Sequence, residues 1–165
     1  MIGHHVNKYP QIARQVATQG HLIGNHGYAH SVVLYYTDEE IEEEIKYTEH
    51  IIKEVTGQVT KFYRPPKAWI TPWSKDKIKS IGYEVVLWSI NPKDWVSFPS
   101  RFMVNVILNR VRPGEIILFH DSGNIFSTEG GRRAQTVKAI GELIPRLKER
   151  GFECVTVEEL IDEKF

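Results

Sequence analysis

Hydrophobic and polar positions along this chain follow a helical period and a strand period in turn. The stretch "YPQIARQVATQG" has Pro10 near its start and Gly20 at its end, and its apolar positions recur on one helical face. The next stretch, "HLIGN", is typical of a short strand. Thr37 and Glu40 then have the spacing of a capping box, and the pattern after them predicts a long helix that ends at Gly57. Its buried face is predicted to consist of Ile41, Ile45, Ile51, Ile52 and Val55.

The same alternation continues to the end of the chain. Strand patterns near residues 60–63, 83–89, 115–119 and 152–156 are separated by helical patterns. Strands that alternate with helices of this length predict right-handed β-α units with parallel strands, and hence an open α/β sheet or a barrel. A chain of 165 residues can bury the core of one domain, which we expect to span residues 1–165.

The charge balance argues against several classes of function. Lys and Arg together number 21, as do Asp and Glu, so the formal net charge is zero. Because no basic stripe stands out, we expect no nucleic-acid partner. The apolar runs are too short for a transmembrane segment and the N-terminus does not resemble a signal peptide, which leaves the compartment open. We interpret the acidic run at residues 38–44 as a solvated helix face, and Cys154 in "FECVTV" as a core residue.

Residues that can carry chemistry follow four successive predicted strands. The carboxyl ends of parallel strands meet at one rim, where α/β folds place their active sites. We therefore expect these side chains to converge and to form a metal-assisted active site. In chain order they are His26 and His30, then Arg64, then Asp94 and Trp95, and finally His120 with Asp121.

The pair His26 and His30 stands in the stretch "GNHGYAHS". On one helical turn, side chains four residues apart lie on the same face, so both imidazoles can hold one metal ion. Two surface histidines near a loop are the alternative interpretation of such a pair taken alone.

The other candidates also have a structural alternative. Arg64 precedes Pro65 and Pro66, which either mark a stiff surface turn or fix the guanidinium so that it holds a carboxylate. Asp94 either caps a local turn or fixes the tautomer of His120 and stabilises its imidazolium. A histidine that leaves an apolar strand is alternatively a satisfied core residue. The four tryptophans either belong in part to the core or, where their indole rings are exposed near the rim, would suit stacking on sugars. They are Trp69, Trp73, Trp88 and Trp95.

The motifs "HGYAH", "RPP", "DW" and "LFH", in this order, resemble those of the polysaccharide deacetylases, the NodB-like carbohydrate esterase family. The likeness extends over essentially the whole chain. It implies a distorted (β/α) barrel and a divalent metal, usually zinc, held by two histidines and an aspartate. The histidines correspond to His26 and His30. The implied reaction is hydrolytic removal of acetyl from an N-acetylated sugar by a metal-activated water.

The same resemblance implies roles for the remaining candidates. His120, oriented by Asp94, would protonate the departing amine, and Arg64 would orient the catalytic base. Leu118 would help to line the acetyl pocket. The residues expected to contact the carbohydrate substrate are Trp95, Leu118 and Tyr63.

This chain also departs from the family pattern. The first motif, Thr-Phe-Asp-Asp-Gly, supplies the general base and the third metal ligand in the family, and it is absent here. The stretch "MIGHHV" resembles the tail of the strand that normally comes after that motif. We therefore expect a barrel that is truncated at the N-terminus, with its first β-α unit missing. Without the base carboxylate, Arg64 should face solvent or pair with a substitute such as Asp94.

Four further positions differ from the family. Asn91 stands where a first aspartate is usual, and Gly27 stands where Ser or Thr usually follows the first histidine. Lys67 and Ala68 replace an aromatic-glycine pair after the two prolines. These changes leave the expected fold intact and weaken the expectation of activity.

Two functions of different class follow. The first is a metal-dependent hydrolase that removes N-acetyl or O-acetyl groups from a polysaccharide such as peptidoglycan or chitin oligomers, impaired here and with weak or no zinc binding. Xylan and small amides are further substrates to consider. The second is a non-catalytic domain that binds carbohydrate or assembles through an exposed sheet edge, for example as a homo-oligomer. An in-frame Asp-Asp segment upstream of the Met1 codon would favour the first function, and a stop codon directly upstream would favour the second.

Overall fold

The computed structural model describes residues 1–96, 98–123, 129–131 and 133–162. The chain divides into two compact units, Met1–Leu87 and Trp88–Phe165. The elements of the first unit are α1 (Gly3–Lys8), α2 (Pro10–Thr18), α3 (Asp38–Thr56), β1 (Phe62–Tyr63), α4 (Pro72–Ser80) and β2 (Glu84–Val85). Those of the second unit are α5 (Ser100–Leu108), α6 (Ala134–Glu149) and α7 (Val157–Asp162). Short 3₁₀ turns occur at Val33–Tyr35, Pro66–Ala68 and Asp94–Val96.

Parallel backbone pairing organises the first unit. β1 pairs with β2 in parallel, with Tyr63 opposite Val85. On the other side of β1, Asn25 forms a parallel bridge with Tyr63. The first three predicted strands therefore run parallel, as expected. The regular ladder contains only Phe62–Tyr63 and Glu84–Val85. It is much shorter than the apolar stretches from which the strands are predicted, because the other residues of those stretches have no ladder partner in register.

Met1 continues this pairing beyond Asn25. Its carbonyl accepts a hydrogen bond from the backbone N–H of His26 at 2.9 Å, and its amino group donates to the carbonyl of Gly24. Bonds to the residues on either side of Asn25 are the pattern of parallel neighbours. The first six residues are predicted to be the tail of a strand. This prediction is confirmed for Met1 but not for the residues from Gly3 on, where α1 begins.

Helix α3 has the boundaries that the sequence predicts. The Thr37 side chain accepts a hydrogen bond from the Glu40 backbone N–H at 3.3 Å, and the Glu40 carboxylate accepts one from the Thr37 N–H at 2.7 Å. Gly57 ends the helix with φ of +73°, a left-handed conformation that glycine adopts without steric cost. The predicted stripe is confirmed, since four of its members are buried and Val55 packs beside them: Ile41, Ile45, Ile51 and Ile52.

The second unit has its core between α5 and α6. Ile90 forms a parallel bridge with Ile117, and the Leu118 N–H donates to the Ile90 carbonyl at 2.9 Å. The parallel strand predicted near residues 115–119 is therefore present as a short pairing. The buried core residues are Ile90, Met103, Val104, Ile107, Leu108, Ala139, Leu143 and Leu147.

The strand predicted at residues 152–156 is wrong. No part of this segment pairs with a strand among the described residues, and Cys154 is exposed, contrary to its predicted place in the core. The side chain of Thr156 instead accepts a hydrogen bond from the Glu159 N–H at 3.2 Å, at the start of α7. Alternating apolar residues form a strand only where a neighbouring edge is free to pair with them.

No helix within the described ranges combines the length and the apolar character that crossing a membrane requires.

Candidate active site

His26 and His30 lie on the loop that follows Asn25 in the first unit. The centroids of their imidazole rings are 4.8 Å apart and the rings are nearly perpendicular, at 79°. The helical turn that their spacing suggested is wrong. Gly27 has φ of +74° and His30 has φ of +59°, and such left-handed residues interrupt a right-handed helix. A loop, and not a helix face, brings the two rings together.

The buried side chain of Asn25 fixes the start of this loop. Its Nδ2 donates to the Ile45 carbonyl of α3 at 2.9 Å, and its Oδ1 accepts from the Gly27 N–H at 2.9 Å. Its backbone also donates to the Phe62 carbonyl at 2.8 Å and accepts from the Arg64 N–H at 2.9 Å. Asn25 therefore ties together the loop, helix α3 and strand β1.

Glu44 of α3 holds the next part of the loop. Its Oε1 accepts a hydrogen bond from the Tyr28 backbone N–H at 2.7 Å. A Cβ atom placed on Gly27 would lie 3.0 Å from the same oxygen. Glycine at this position, where the family usually has Ser or Thr, therefore permits both the left-handed turn and the close approach of the carboxylate.

The interpretation of residues 38–44 as a solvated face is wrong for three of them. Glu40 belongs to the capping box, Glu42 pairs with Lys77 at 2.6 Å, and Glu44 binds the histidine loop. A charge run at a helix start looks the same in sequence whether its partners are water or other segments of the chain.

His26 is held as a neutral imidazole. Its Nδ1 lies 2.5 Å from the Arg64 carbonyl oxygen, to which a ring N–H donates. Burial lowers the pKa of His26 to about 3, the bond to the carbonyl opposes this shift, and the positive charges of the N-terminus, His30 and Arg64 add to it. A neutral histidine whose Nδ1–H is fixed on a carbonyl presents Nε2 as a metal ligand.

Arg64 is half-buried and bound to backbone oxygens. Its Nε donates to the Val86 carbonyl at 3.1 Å and its Nη2 to the Leu87 carbonyl at 3.4 Å. Burial lowers the pKa of the guanidinium. Within the first unit, carbonyl oxygens thus take the positions that we expected a carboxylate to occupy, and they fix the direction of the guanidinium.

Two left-handed residues follow the proline pair. Lys67 and Ala68 have φ of +57° and +58°. A glycine at position 68, as in the family pattern, would adopt this backbone without the Cβ clash. The turn leads directly to Trp69, whose ring is about half exposed and lies 5.7 Å from the Lys67 Nζ. Trp73 is exposed to a similar degree.

Tyr63 is fully buried in the core of the first unit. Burial raises the pKa of its phenol, and Glu44 and Tyr36 add to the effect. Its hydroxyl oxygen has no hydrogen-bond partner among the described residues. Tyr63 therefore has a packing role here, and its expected contact with substrate stays a prediction.

In the second unit, Asp94 and His120 form a hydrogen-bonded pair. The Nδ1 of His120 lies 2.8 Å from Oδ1 of Asp94, and the His120 backbone N–H donates to Oδ2 at 2.8 Å. Asp94 is fully buried, whereas the His120 side chain is 36% exposed. The Trp95 ring stands edge-on to His120, with 5.2 Å between centroids, and Leu118 is buried on the strand that leads to it. The pair thus has the arrangement expected for an oriented proton donor.

Asp94 is ionised in this setting. Burial raises the pKa of its carboxyl, but the bonds from the His120 ring and backbone, the charge of His120 and the bond from Thr136 together outweigh burial and lower it. Just before it, the Asn91 side chain accepts from the Lys93 N–H at 2.8 Å, which supports a left-handed Lys93 with φ of +56°. Asn91 therefore shapes the turn that carries Asp94.

Two residues of the Asp94 site escaped the sequence analysis. Thr136 of α6 donates from Oγ1 to Asp94 Oδ2 at 3.2 Å, and Arg133 donates from Nη1 to the Asp94 carbonyl at 3.1 Å. Both belong to the helical pattern near residues 132–151, where nothing local distinguishes them from other polar positions. Only the packing of α6 beside the Asp94 turn reveals them.

The histidine pair fits part of a metal site. Two neighbouring imidazoles are donors that zinc prefers, and His26 is already neutral and oriented. Across the described ranges, no group of three or more His, Cys, Asp or Glu side chains could hold a metal ion. The convergence of His26, Arg64, Asp94 and His120 at one rim stays a prediction.

Paired imidazoles after a strand, an arginine fixed beside them and a carboxylate-held histidine are groups that metal-assisted hydrolases of the α/β class use. Residues 1–86 match the sequence profile of a family described as "Polysaccharide deacetylase". The chain belongs to this family, and the resemblance read from its motifs is confirmed.

Similar proteins are named as deacetylases of two carbohydrates. The chain is 35% identical to a peptidoglycan-N-acetylglucosamine deacetylase of Bacillus cereus over 170 residues, which cover 99% of this chain and 74% of that protein. It is also 35% identical to a chitooligosaccharide deacetylase of Azorhizobium caulinodans, covering 92% of this chain and 74% of that protein. A second peptidoglycan-N-acetylglucosamine deacetylase of B. cereus, 32% identical, is matched over 55% of its length.

Solved structures share the fold. A peptidoglycan N-acetylglucosamine deacetylase superposes with a TM-score of 0.89 at 30% identity, covering 96% of this chain and 72% of that one. A family 4 acetyl xylan esterase from Clostridium thermocellum in complex with a cobalt ion gives 0.84 at 28% identity, covering 97% and 74%. The expected fold class, the distorted (β/α) barrel of this family, is confirmed.

Replacing Asn25 with Ala is expected to lower the free energy of unfolding by about 2–4 kcal/mol, because it leaves the Gly27 N–H without its acceptor and removes a buried bridge to α3. Urea unfolding followed by circular dichroism measures the change. Asn7→Ala, on the exposed face of α1, is the matched control and should leave stability nearly unchanged. Equal effects of the two substitutions would contradict the role assigned to Asn25.

Ala68→Gly is expected to raise the free energy of unfolding by about 0.5–1 kcal/mol, since relief of the left-handed strain exceeds the added entropy of the unfolded chain. The control Ala17→Gly lies within helix α2, where the same change should cost about 0.5–1 kcal/mol. Thermal and urea unfolding of both variants provide the measurement. A loss of stability in both would show that residue 68 is not strained.

Asp94 is expected to make stability depend on acid pH. Its pKa is lowered on folding from 3.8, so its contribution is complete well above pH 3.8 and is lost as the pH falls through the lowered value. Urea unfolding between about pH 6 and pH 3 should therefore show a weaker acid dependence in Asp94→Asn than in the wild-type protein. Asp76→Asn, at an exposed position of α4, should retain the wild-type profile. An unchanged profile in Asp94→Asn would refute this assignment.

Proposed function

We propose that this protein is a metal-dependent hydrolase that removes acetyl groups from an N-acetylated polysaccharide. The observation that carries the proposal is the buried, ionised Asp94 on Nδ1 of a half-exposed His120. With Nδ1 held by the carboxylate, Nε2 is left for the substrate, and the imidazolium form of the ring can deliver its Nε2 proton to a departing amine nitrogen and return to the neutral Nδ1–H form. The proposal treats residues 1–165 as one catalytic domain.

His26 and His30 would hold the divalent metal, and zinc suits two imidazole ligands best. The metal, when bound, polarises the acetyl carbonyl and lowers the pKa of its water. The protein contributes a neutral His26 that needs no deprotonation before it binds, because its Nδ1–H is already fixed on the Arg64 carbonyl. Arg64, anchored on two further carbonyls, presents a fixed positive charge next to this loop.

Peptidoglycan and chitin oligomers are the proposed substrates. Support comes from similar proteins that are named as peptidoglycan and chitooligosaccharide deacetylases. Trp95, beside His120, offers an indole edge to a sugar ring, and Leu118 offers an apolar side chain near the same strand end. Tyr63 stays the third predicted substrate contact, but its buried side chain adds no support to the proposal.

We further propose that the 165 residues by themselves bind zinc weakly and deacetylate poorly. A catalytic zinc normally has three protein ligands, and the described residues offer two imidazoles without a third donor. The family's Asp-Asp motif, the source of the base and of the anionic ligand, is not found in this sequence.

A non-catalytic carbohydrate-binding domain is the second candidate. It is favoured by Trp69 and Trp73, which are about half exposed a few residues after Arg64, because exposed indoles stack on sugar rings. Self-association through an exposed sheet edge stays a prediction, for which light scattering at several concentrations is the direct measurement.

Zinc titration by calorimetry at neutral pH separates these functions. We expect weak binding to the wild-type chain, no detectable binding to His26→Ala or His30→Ala, and wild-type binding to His21→Ala, which lacks an exposed histidine outside the pair. Acetate release from chitin oligomers and from peptidoglycan should be low. Carbohydrate binding without acetate release at saturating zinc would favour the second candidate.

Two outcomes contradict parts of the proposal, the first its claim of impaired activity and the second its metal ligands. Tight one-to-one zinc binding with efficient acetate release would show that the chain is not impaired. Zinc binding unchanged in both His26→Ala and His30→Ala would remove the metal from this pair.

A further inference from the structure

Two side chains from a distant part of the sequence form hydrogen bonds with Asp94. Thr136 Oγ1 donates to Asp94 Oδ2 at 3.2 Å, in a fully buried contact. Arg133 Nη1 donates to the Asp94 carbonyl at 3.1 Å. The second guanidinium nitrogen of Arg133 donates to the Ser122 carbonyl at 3.2 Å and to the Gly123 carbonyl. Asp94 is thus held by its carboxylate and by its backbone at the same time.

We propose that Arg133 and Thr136 are positioning residues that keep the Asp94 carboxylate on Nδ1 of His120. The catalytic consequence rests on the proposed function, whereas the positioning itself does not. Neither residue needs to contact the substrate, because both act through Asp94.

The contacts of the carboxylate explain the role of Thr136. Oδ1 of Asp94 faces Nδ1 of His120, while Oδ2 accepts both the His120 backbone N–H and the Thr136 hydroxyl. Two donors on Oδ2 fix the rotation of the carboxylate plane, and this rotation determines where Oδ1 points. Without the hydroxyl, Oδ2 keeps only the His120 backbone N–H as a donor, and the carboxylate plane is held less firmly.

Arg133 acts on the backbone at both ends of the pair. It bonds the carbonyl of Asp94 on one side and the carbonyls of Ser122 and Gly123, just after His120, on the other. A planar guanidinium can serve three carbonyls in fixed directions, whereas a lysine ammonium cannot reproduce this fork. Beside these contacts, the Gly123 N–H donates to the Gly130 carbonyl at 2.8 Å.

The positioning has a chemical result at His120. In the neutral ring, an ionised carboxylate on Nδ1 selects the tautomer that carries its proton there, so Nε2 is the nitrogen that takes up and delivers the second proton. A histidine released from this contact favours the opposite tautomer, with the proton on Nε2. The tautomer of His120 therefore reports whether Arg133 and Thr136 keep the Asp94 carboxylate on Nδ1.

Long-range ¹H–¹⁵N correlation NMR of the ¹⁵N-histidine-labelled chain measures this tautomer. Spectra are recorded at about pH 9, where an imidazole of ordinary pKa, near 6.5, is neutral. The His120 signals are assigned by their disappearance in His120→Gln. We expect the Nδ1–H tautomer in the wild-type chain and loss of this signature, with a shift of both ring nitrogens toward the Nε2–H pattern, in Thr136→Val and in Arg133→Lys.

Matched variants separate positioning from stability. Thr136→Ser keeps the hydroxyl and should restore the wild-type signals. Arg150→Lys is the control for Arg133→Lys, because Arg150 also donates to a backbone carbonyl, that of Leu108, at 2.5 Å. It should leave the His120 signals unchanged. Arg133→Lys provides a second reading that does not depend on Thr136→Val being folded.

The outcomes are distinct. Unchanged His120 signals in folded Thr136→Val and Arg133→Lys would overturn the proposal, as would an equal shift in Arg150→Lys. A shift in only one variant keeps the positioning role for that residue and overturns it for the other. The measurement needs neither metal nor turnover, so failure of the proposed deacetylase function would leave this result intact.

Discussion

A buried polar side chain at the end of a strand must find hydrogen-bond partners inside the protein, and each unit is built around one such group. In the first unit it is the amide of Asn25, which bonds helix α3 and the loop beside it. In the second unit it is the carboxylate of Asp94, which bonds His120 and Thr136. An unpaired buried amide costs about 1–3 kcal/mol and an unpaired buried charge more, so these partners cannot move independently.

These two centres serve opposite electrostatic needs. The first keeps His26 neutral, because burial and nearby positive charge lower its pKa while a carbonyl fixes its Nδ1–H. The second places an ionised carboxylate on His120, which compensates a positive charge on the ring. A histidine that binds a metal must be neutral so that it offers a lone pair, whereas a histidine that donates a proton must carry a positive charge. The surroundings of each histidine therefore decide which of the two tasks it can perform.

Backbone strain is concentrated beside the same residues. Four non-glycine residues in the described ranges have positive φ, and each lies within a few positions of a candidate site residue. They are His30, Lys67, Ala68 and Lys93. Such conformations cost on the order of 1 kcal/mol each and persist where surrounding hydrogen bonds impose them, as Asn91 does for Lys93. The strain is consistent with loops that are shaped by the position of functional groups and not by local preference.

Apart from α1 and residues 152–156, the sequence alone determined the order of helices and strands, together with the boundaries of α3 and the identity of the motifs, because caps and apolar stripes depend on residues three or four positions apart. It also indicated Asp94 and His120 as a pair. Only the tertiary structure decided that Glu44 reaches Tyr28, 16 residues away, and that Thr136 reaches Asp94, 42 residues away. It likewise decided that residues 152–156 form no strand in the described chain. Hydrogen-bond partners and strand edges come from segments that are distant in sequence. A local pattern of residues therefore does not indicate which distant segment will pack against it.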